Sequence, residues 1–187
     1  MKTITQTVFV FISYIIGGYT NSFADMQLTS PAFKQLTHSN NPAEKYSPQE
    51  NDASSFIPIR YTCKGMDISP ELRINGVPEN SKSLALILDD PDAPVGTFVH
   101  WVVWNIPSDT KTLTTGQSPP GIQGMTDFRK LGYGGPCPPS GIHRYYFKLY
   151  ALDTLLNLNS NSGKKDVEHA MQGHVIDKAE LIGLFQK

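Results

Sequence analysis

The most regular feature of this sequence is a series of short apolar runs separated by clusters of turn-forming residues. Val, Ile, Phe, Tyr and Trp dominate the runs, whereas Pro, Gly, Asn and Asp stand between them, which is the pattern of β-strands joined by loops. The clearest runs are 57–63, 84–88, 98–106 and 145–152. Neither an internal repeat nor an alternation of strands with helices is evident, so the pattern predicts a mostly β fold.

Two of these runs also indicate which side chains share a face. The run 98–104 is apolar at every position except His100, which predicts a central strand that is buried on both faces. Side chains alternate between faces along a strand, so Tyr145 and Phe147 share one face of the last run. The same alternation puts His143 on the Tyr145 face.

Toward the C-terminus the apolar spacing becomes helical. Val167, Ala170, Met171 and His174 fall at i, i+3, i+4 and i+7, which describes one face of a helix. The run 179–185 indicates a second short helix. The predicted fold class is therefore mostly β, a sandwich with one or two short C-terminal helices.

The N-terminus has the organisation of a signal peptide. A single Lys precedes an apolar stretch at 8–16, which is short for a membrane span, and small residues follow before Asp25. We therefore expect a signal peptide at 1–24, one mature domain at 25–187, and a periplasmic or secreted location. An uncleaved N-terminal anchor is the alternative.

Composition narrows the class of function. The 187-residue chain is 39% hydrophobic and 18% charged, as expected for a globular protein with one substantial core. Its formal net charge is -1 and charges of both signs are mixed along it, so no basic stripe is available for a nucleic acid backbone. Nucleic acid is therefore not an expected partner. The segment at about 37–55 is rich in Ser, Asn, Gln and Pro and predicts a flexible insertion.

The chain has two cysteines, Cys63 and Cys137. In an oxidising compartment an isolated pair forms a disulfide more readily than a metal site. If the chain is not exported, two buried thiols are the expected alternative.

Two acidic side chains directly follow the strand-forming run 84–88. Asp90 and Asp92 belong to the segment Asp-Pro-Asp-Ala-Pro, whose prolines restrict the backbone and hold both carboxylates in place. Fixed carboxylates can orient a histidine or contact a ligand. The alternative is an Asx turn, in which they only accept hydrogen bonds from nearby backbone N–H groups.

A Gly/Pro-rich segment, 132–145, ends in His143 and Tyr145. Glycine lets backbone N–H groups approach an anion closely, although such a segment is more often only a connection. Together with His100, the two side chains offer N–H and O–H donors to phosphate oxygens, and a nearby carboxylate can fix a histidine tautomer. Taken singly, His100 is as readily a satisfied core residue. Arg144 lies on the opposite face, where we expect a structural ion pair.

The motifs of several enzyme classes are missing. The sequence has no Gly-x-Ser-x-Gly elbow, no His-Glu-x-x-His, no Walker loop and no Gly-x-Gly-x-x-Gly at a strand-helix junction. We therefore expect a non-catalytic binding protein without cofactor or metal. The alternative is a phosphoester hydrolase in which the same Asp and His residues hold a metal or act as acid and base. A secreted effector that acts through its surface alone is a third interpretation.

These segments resemble the phosphatidylethanolamine-binding proteins, which include Raf kinase inhibitor protein, and specifically their bacterial branch. The Asp-Pro-Asp-Ala-Pro turn and the Gly-x-His-Arg-Tyr segment are specific when they occur together. The matching segments follow the same order along most of the mature chain: 30–33, 61–65, 69–70, 83–86, 90–94, 100–101, 105–107, 132–145 and 179–181.

The resemblance implies an antiparallel β-sandwich with a small anion pocket near one end. It also supports a bridge between Cys63 and Cys137. The implied ligand is a small phosphoryl group or other oxyanion, such as a phospholipid head group, in a bacterial periplasmic or secreted protein. Candidate partners are a kinase or protease that the protein inhibits or regulates, a transient contact with membrane lipids, and a second copy in a homodimer. The implied pocket residues are Asp90, His100, Gly135, His143 and Tyr145, with Asp92 beside them.

Overall fold

The computed structural model describes residues 25–35 and 55–187. The predicted signal peptide at 1–24 lies outside the described residues, and so does the predicted insertion at 37–55 except for its last residue. That residue, Ser55, begins a short strand. Both the signal peptide and the insertion therefore stay predictions.

The described residues form strands in two sheets and one α-helix. The small sheet pairs β1 (Gln27–Thr29), β4 (Leu72–Asn75) and β7 (Thr112–Leu113), in that order. The large sheet contains β2 (Lys34–Gln35), β3 (Ser55–Phe56), β5 (Ser83–Asp90), β6 (Phe98–Pro107), β8 (Ile122–Gln123), β9 (Ile142–Leu152) and β10 (Val175–Gln186). Its spatial order is β2-β3-β10-β9-β5-β6-β8. The helix α1 spans Lys164–Ala170.

The large sheet is apolar on both faces because each face is covered by a different layer. On one face, Leu86 and Trp101 pack with Leu72 of the small sheet in the main core. On the other face, Val102 packs with Val167 of α1. This double coverage confirms that the run 98–104 is a strand buried on both faces. Burial of both faces removes the apolar side chains on each side of the strand from water.

Three of the four predicted strands are present, and the prediction of the fourth is wrong. The runs 84–88, 98–106 and 145–152 lie in β5, β6 and β9. The run 57–63 is not a strand, because Pro58 has φ -61° and precedes a 3₁₀ turn at Ile59–Tyr61. The pattern of a short apolar run that contains a proline does not by itself show whether the run forms a strand or a buried turn. Among the strands that the structure describes, pairing is antiparallel except for the short parallel pair of β3 with β10.

One C-terminal helix is present and the second is absent. Val167 lies in α1 and is buried, but the helix ends at Ala170, so His174 lies beyond it. The run predicted as a second helix, 179–185, belongs to strand β10, which pairs with β9 from Val175 to Gln186. That long ladder satisfies the backbone polar groups of β10, and such tertiary pairing overrides a short helical pattern. No helix within the described ranges is long and apolar enough to cross a membrane.

Candidate functional site

Asp90 is the last residue of β5 and its side chain makes two different contacts. Its Oδ1 accepts the backbone N–H of Asp92 at 2.8 Å, which is the Asx turn that the sequence analysis gave as the alternative. Its Oδ2 accepts the Nδ1–H of His143 at 2.7 Å. The carboxylate therefore shapes the turn and orients a histidine at the same time, so the two interpretations of this segment are compatible.

His143 and Asp90 form a nearly buried pair. Their side chains are 9% and 4% exposed, respectively. A carboxylate accepts hydrogen bonds, so His143 carries a proton on Nδ1 in this pair and, when neutral, has an acceptor lone pair on Nε2.

A bulge in β6 determines the orientation of His100. Val99 pairs with Asp89 and Trp101 pairs with Leu88, so His100 is the extra residue between two ladder positions. Regular alternation would have put His100 on the face of Val102, toward α1. Because of the bulge, the His100 ring instead contacts the Tyr145 ring edge-on at 5.2 Å between centroids. Bulges often re-aim a side chain next to a functional site in this way.

Asp127 holds this bulge in place. Its Oδ2 accepts the backbone N–H of Val99 at 2.8 Å, and its own N–H donates to the Val99 carbonyl at 3.1 Å. The sequence interpretation missed Asp127, because nothing in its local pattern links it to a strand 28 residues away. The neighbouring Phe128 ring contacts the His100 ring at 5.2 Å.

The environment of His100 keeps its imidazole neutral. Its Nδ1–H donates to the carbonyl of Gly134 at 2.8 Å, and the residue is 3% exposed. Burial lowers the pKa of His100 below the ordinary value for histidine, and this effect exceeds the opposing influences of the Gly134 carbonyl and the Asp90 charge. The ring therefore presents Nε2 as an acceptor.

Tyr145 contributes a buried hydroxyl that is still available as a donor. Its Oη makes no hydrogen bond of good geometry within the described residues, although the Asp90 carboxylate and the Cys137 backbone lie nearby. Burial, followed by the negative charge of Asp90, raises the pKa of Tyr145 above the ordinary value for tyrosine. The hydroxyl therefore keeps its proton. A buried polar group without a partner is costly and is a natural point of contact for a ligand.

The loop that carries Gly135 is tied down by the bridge between Cys63 and Cys137, which confirms the pairing that the resemblance suggested. The Gly135 N–H donates to Asp67 Oδ1 at 2.6 Å and so is engaged with a protein carboxylate. A Cβ at this position would lie 2.5 Å from the carbonyl oxygen of Tyr61. In this structure glycine at 135 permits close backbone packing, and the sequence interpretation did not identify Asp67 as its partner.

Asp92 contacts Arg144 and not the two histidines. Arg144 Nη2 and Nε donate to the two carboxylate oxygens at 2.6 and 2.9 Å, and the Arg144 backbone N–H also donates to Oδ2 at 2.9 Å. The hydrogen bond from Arg144 holds the pKa of Asp92 below the ordinary value for aspartate. This is the structural ion pair expected for Arg144. It anchors the turn after β5 to the start of β9, next to the Asp90–His143 pair.

The arrangement brings hydrogen-bond donors and acceptors together. Four polar side chains are linked by contact, and each is at most 7% exposed. They are Asp90, His100, His143 and Tyr145. Among the described residues, no group of three or more His, Cys, Asp or Glu side chains is placed to hold a metal ion.

Comparison with known proteins gives a consistent result for sequence and for structure. The family model for phosphatidylethanolamine-binding protein matches residues 47–186. A UPF0098 protein of Methanothermobacter thermautotrophicus is 55% identical over 137 residues, which cover 70% of this chain and 91% of the relative. A UPF0098 protein of Pyrococcus horikoshii is 51% identical over 144 residues, which cover 72% of each chain.

Solved structures agree with this match. A phosphatidylethanolamine-binding protein homolog from Chlamydia trachomatis superposes with a TM-score of 0.75 at 38% identity, covering 87% of this chain and 98% of that one. YbcL of E. coli, described as a member of the mammalian phosphatidylethanolamine-binding protein family, gives a TM-score of 0.72 at 31% identity, covering 88% and 99%. With its two-sheet fold and a family match that extends over most of its length, the chain belongs to the phosphatidylethanolamine-binding protein family.

Proposed function

We propose that this protein is an exported, non-catalytic binder of a small oxyanion, with a soluble phosphate or the phosphoryl part of a lipid head group as the ligand. The observation that carries the proposal is the convergence of four nearly buried polar side chains from three strands: Asp90, His100, His143 and Tyr145. Three of these side chains already have hydrogen-bond partners in the protein, whereas the buried Tyr145 hydroxyl lacks one among the described residues, and a ligand oxygen would supply it.

Each contact has a defined part in binding. The Tyr145 hydroxyl, which lacks a hydrogen bond among the described residues, donates to a ligand oxygen. His143 donates its Nδ1–H to Asp90, which leaves Nε2 for the ligand. Asp90 does not contact the anion but orients the imidazole, as a carboxylate does in many histidine pairs.

Export and regulation of a partner enzyme complete the proposal. The bridge between Cys63 and Cys137 supports export, since disulfides persist in the periplasm and outside the cell and are rare in the cytosol. The family resemblance supports a kinase or protease as the regulated partner. Its contact with the protein would lie at the rim of the site, where Arg144 and Asp92 are partly exposed.

Titration with inorganic phosphate or phosphoethanolamine tests the proposal, with imidazole NMR signals as the readout. We expect the His100 and His143 signals to shift and saturate, whereas the signals of the exposed His174 stay unchanged. A His143→Asn variant should weaken binding and a His174→Asn variant should not. If neither His100 nor His143 responds at any ligand concentration, the binding proposal is wrong.

A generic phosphate ester, assayed with and without divalent metal ions, tests the hydrolase alternative. We expect no turnover above that of buffer. Turnover that disappears in a His143→Ala variant and persists in a His174→Ala variant would replace the binding function with an enzymatic one.

A further inference from the structure

The hydrogen bonds of the two site histidines determine which of their atoms face a ligand. His143 uses Nδ1–H on the Asp90 carboxylate and His100 uses Nδ1–H on the Gly134 carbonyl. A neutral imidazole has one N–H donor and one acceptor nitrogen, so each ring is left with a lone pair on Nε2. At neutral pH the site as built therefore contains more acceptors than donors.

Neither Nε2 atom has a hydrogen-bond partner among the described residues. The Tyr145 hydroxyl also lacks a partner there. These three atoms are therefore the polar atoms of the site that a ligand can engage.

The two rings differ in their surroundings. His143 Nδ1 lies 2.7 Å from the Asp90 carboxylate. His100 has a neutral carbonyl at the same ring position and is surrounded by the rings of Phe98, Phe128 and Tyr145. Placing a charge on His100 means burying it among aromatic rings, so His100 Nε2 stays an acceptor.

An acceptor that faces an anion discriminates between anions of the same shape and charge. Hydrogen phosphate carries a P–O–H group that can donate to an imidazole nitrogen. Sulfate has the same tetrahedral shape and the same charge of -2 but carries no proton near neutral pH. With sulfate bound, the lone pair of Nε2 would face a sulfate oxygen lone pair, and both groups would lack a hydrogen bond in a nearly closed site.

We propose that His100 Nε2 accepts a hydrogen bond from a protonated ligand oxygen, so that the site selects phosphoryl groups that carry a proton. The preferred ligands are hydrogen phosphate and singly protonated phosphate monoesters, and the disfavoured ones are sulfate and phosphodiesters. This inference rests on the proposed anion-binding function and specifies its ligand class. It also separates the two sources of a phosphoryl group, because an intact phospholipid head group is a diester whereas free phosphate and phosphoethanolamine are not.

Lowering the pH should weaken the preference for phosphate over sulfate, because protonation of His100 turns its Nε2 from an acceptor into a donor. The charged and titratable groups near His100 are Asp90 on β5, Tyr145 on β9 and Asp127 on the loop after β8. Both carboxylates favour protonation of His100, whereas burial opposes it more strongly and lowers its pKa. Near His143 the charges are those of Asp90 and of Asp92, which is paired with Arg144.

Calorimetric titration of the wild-type protein with phosphate and with sulfate tests the inference. At about pH 7.5 we expect phosphate to bind at least about tenfold more tightly, because a site that hydrogen-bonds a ligand hydroxyl rejects the analogue that lacks it. The ratio of the phosphate affinity to the sulfate affinity should decrease at about pH 5, below the ordinary pKa of histidine. A second arm compares phosphoethanolamine with its diester, glycerophosphoethanolamine, at about pH 6, where about half of the monoester carries a proton.

Equal affinities for phosphate and sulfate at about pH 7.5 would overturn this inference and leave the proposed function standing. No binding of any of the four ligands would overturn both. A His100→Gln variant, whose amide presents donors as well as an acceptor, should lose the selectivity but still bind. A His174→Gln variant is the matched control and should keep it. The wild-type comparison does not depend on whether either variant folds.

Discussion

The molecule contains two Asp–His pairs with almost the same geometry in very different surroundings. Asp90 Oδ2 accepts from His143 Nδ1 at 2.7 Å, and Asp153 Oδ1 accepts from His174 Nδ1 at 2.8 Å. The side chains of the first pair are 9% (His143) and 4% (Asp90) exposed, whereas those of the second are 47% (His174) and 52% (Asp153) exposed. The pair itself is therefore not what distinguishes a candidate site from a surface contact.

The surroundings make the difference. The buried pair lies beside His100 and the Tyr145 hydroxyl, so several nearly buried polar groups are close together. The exposed pair accompanies a backbone hydrogen bond from Asp153 N–H to the His174 carbonyl and fastens the end of β9 to the turn after α1. Water screens the exposed pair and competes with it, whereas in the buried pair each partner depends on the other. Three measurements should separate the buried site further from the exposed pair.

Loss of the disulfide should have the largest effect. Cys63 and Cys137 are 74 residues apart, so their bridge restricts the unfolded chain strongly. We expect a Cys63→Ala/Cys137→Ala variant to lose about 4 kcal/mol of unfolding free energy in urea denaturation. Because the bridged loop supplies the Gly134 carbonyl, the His100 NMR signals should shift as well. The signals of His174 should not move, and a variant that leaves His100 unchanged would contradict this link.

Removal of one charge from each pair should have the next largest effect. An Asp90→Asn substitution leaves a buried histidine without its carboxylate, and we expect it to cost about 3 kcal/mol of unfolding free energy. The matched Asp153→Asn substitution should cost less than about 0.5 kcal/mol, since solvent screens an exposed ion pair. Urea denaturation of both variants at neutral pH measures the contrast. Equal costs would mean that burial does not distinguish the pairs.

The pH dependence of stability should give the smallest effect. Because burial lowers the pKa of folded His100, the unfolded state binds more protons just below the ordinary histidine pKa of about 6.5. The stability that neutral His100 provides is therefore complete above about pH 6.5 and is lost as the pH falls through the folded pKa. In urea denaturation across this range, a His100→Gln variant should show a shallower loss than the wild type. A His174→Gln variant controls for removal of a histidine, and a His100→Gln slope identical to that of the wild type would contradict the expectation.

Much of the fold could be predicted because the central strands of the large sheet, β5, β6 and β9, are long and largely buried. Strand β5 is buried at all eight positions, and strand β6 is apolar on both faces around His100. Short segments were less informative. The run 57–63 contains Pro58 and forms a turn, and the run 179–185 joins a ladder with β9 that no local pattern indicates. Where few residues carry the signal, distant pairing determines the structure.

For the candidate site, the sequence by itself determined the chemical groups, and only the tertiary structure decided their partners. The proline-bounded turn places Asp90, and strand alternation places His143 with Tyr145, because both depend on neighbours in the chain. The face of His100 depends on a bulge that Asp127 holds from 28 residues away. Likewise, Asp92 pairs with Arg144 and Gly135 with Asp67 across long stretches of sequence. Hydrogen bonds between distant segments leave no periodic trace in the sequence, so the chain could indicate these residues but not which of them meet.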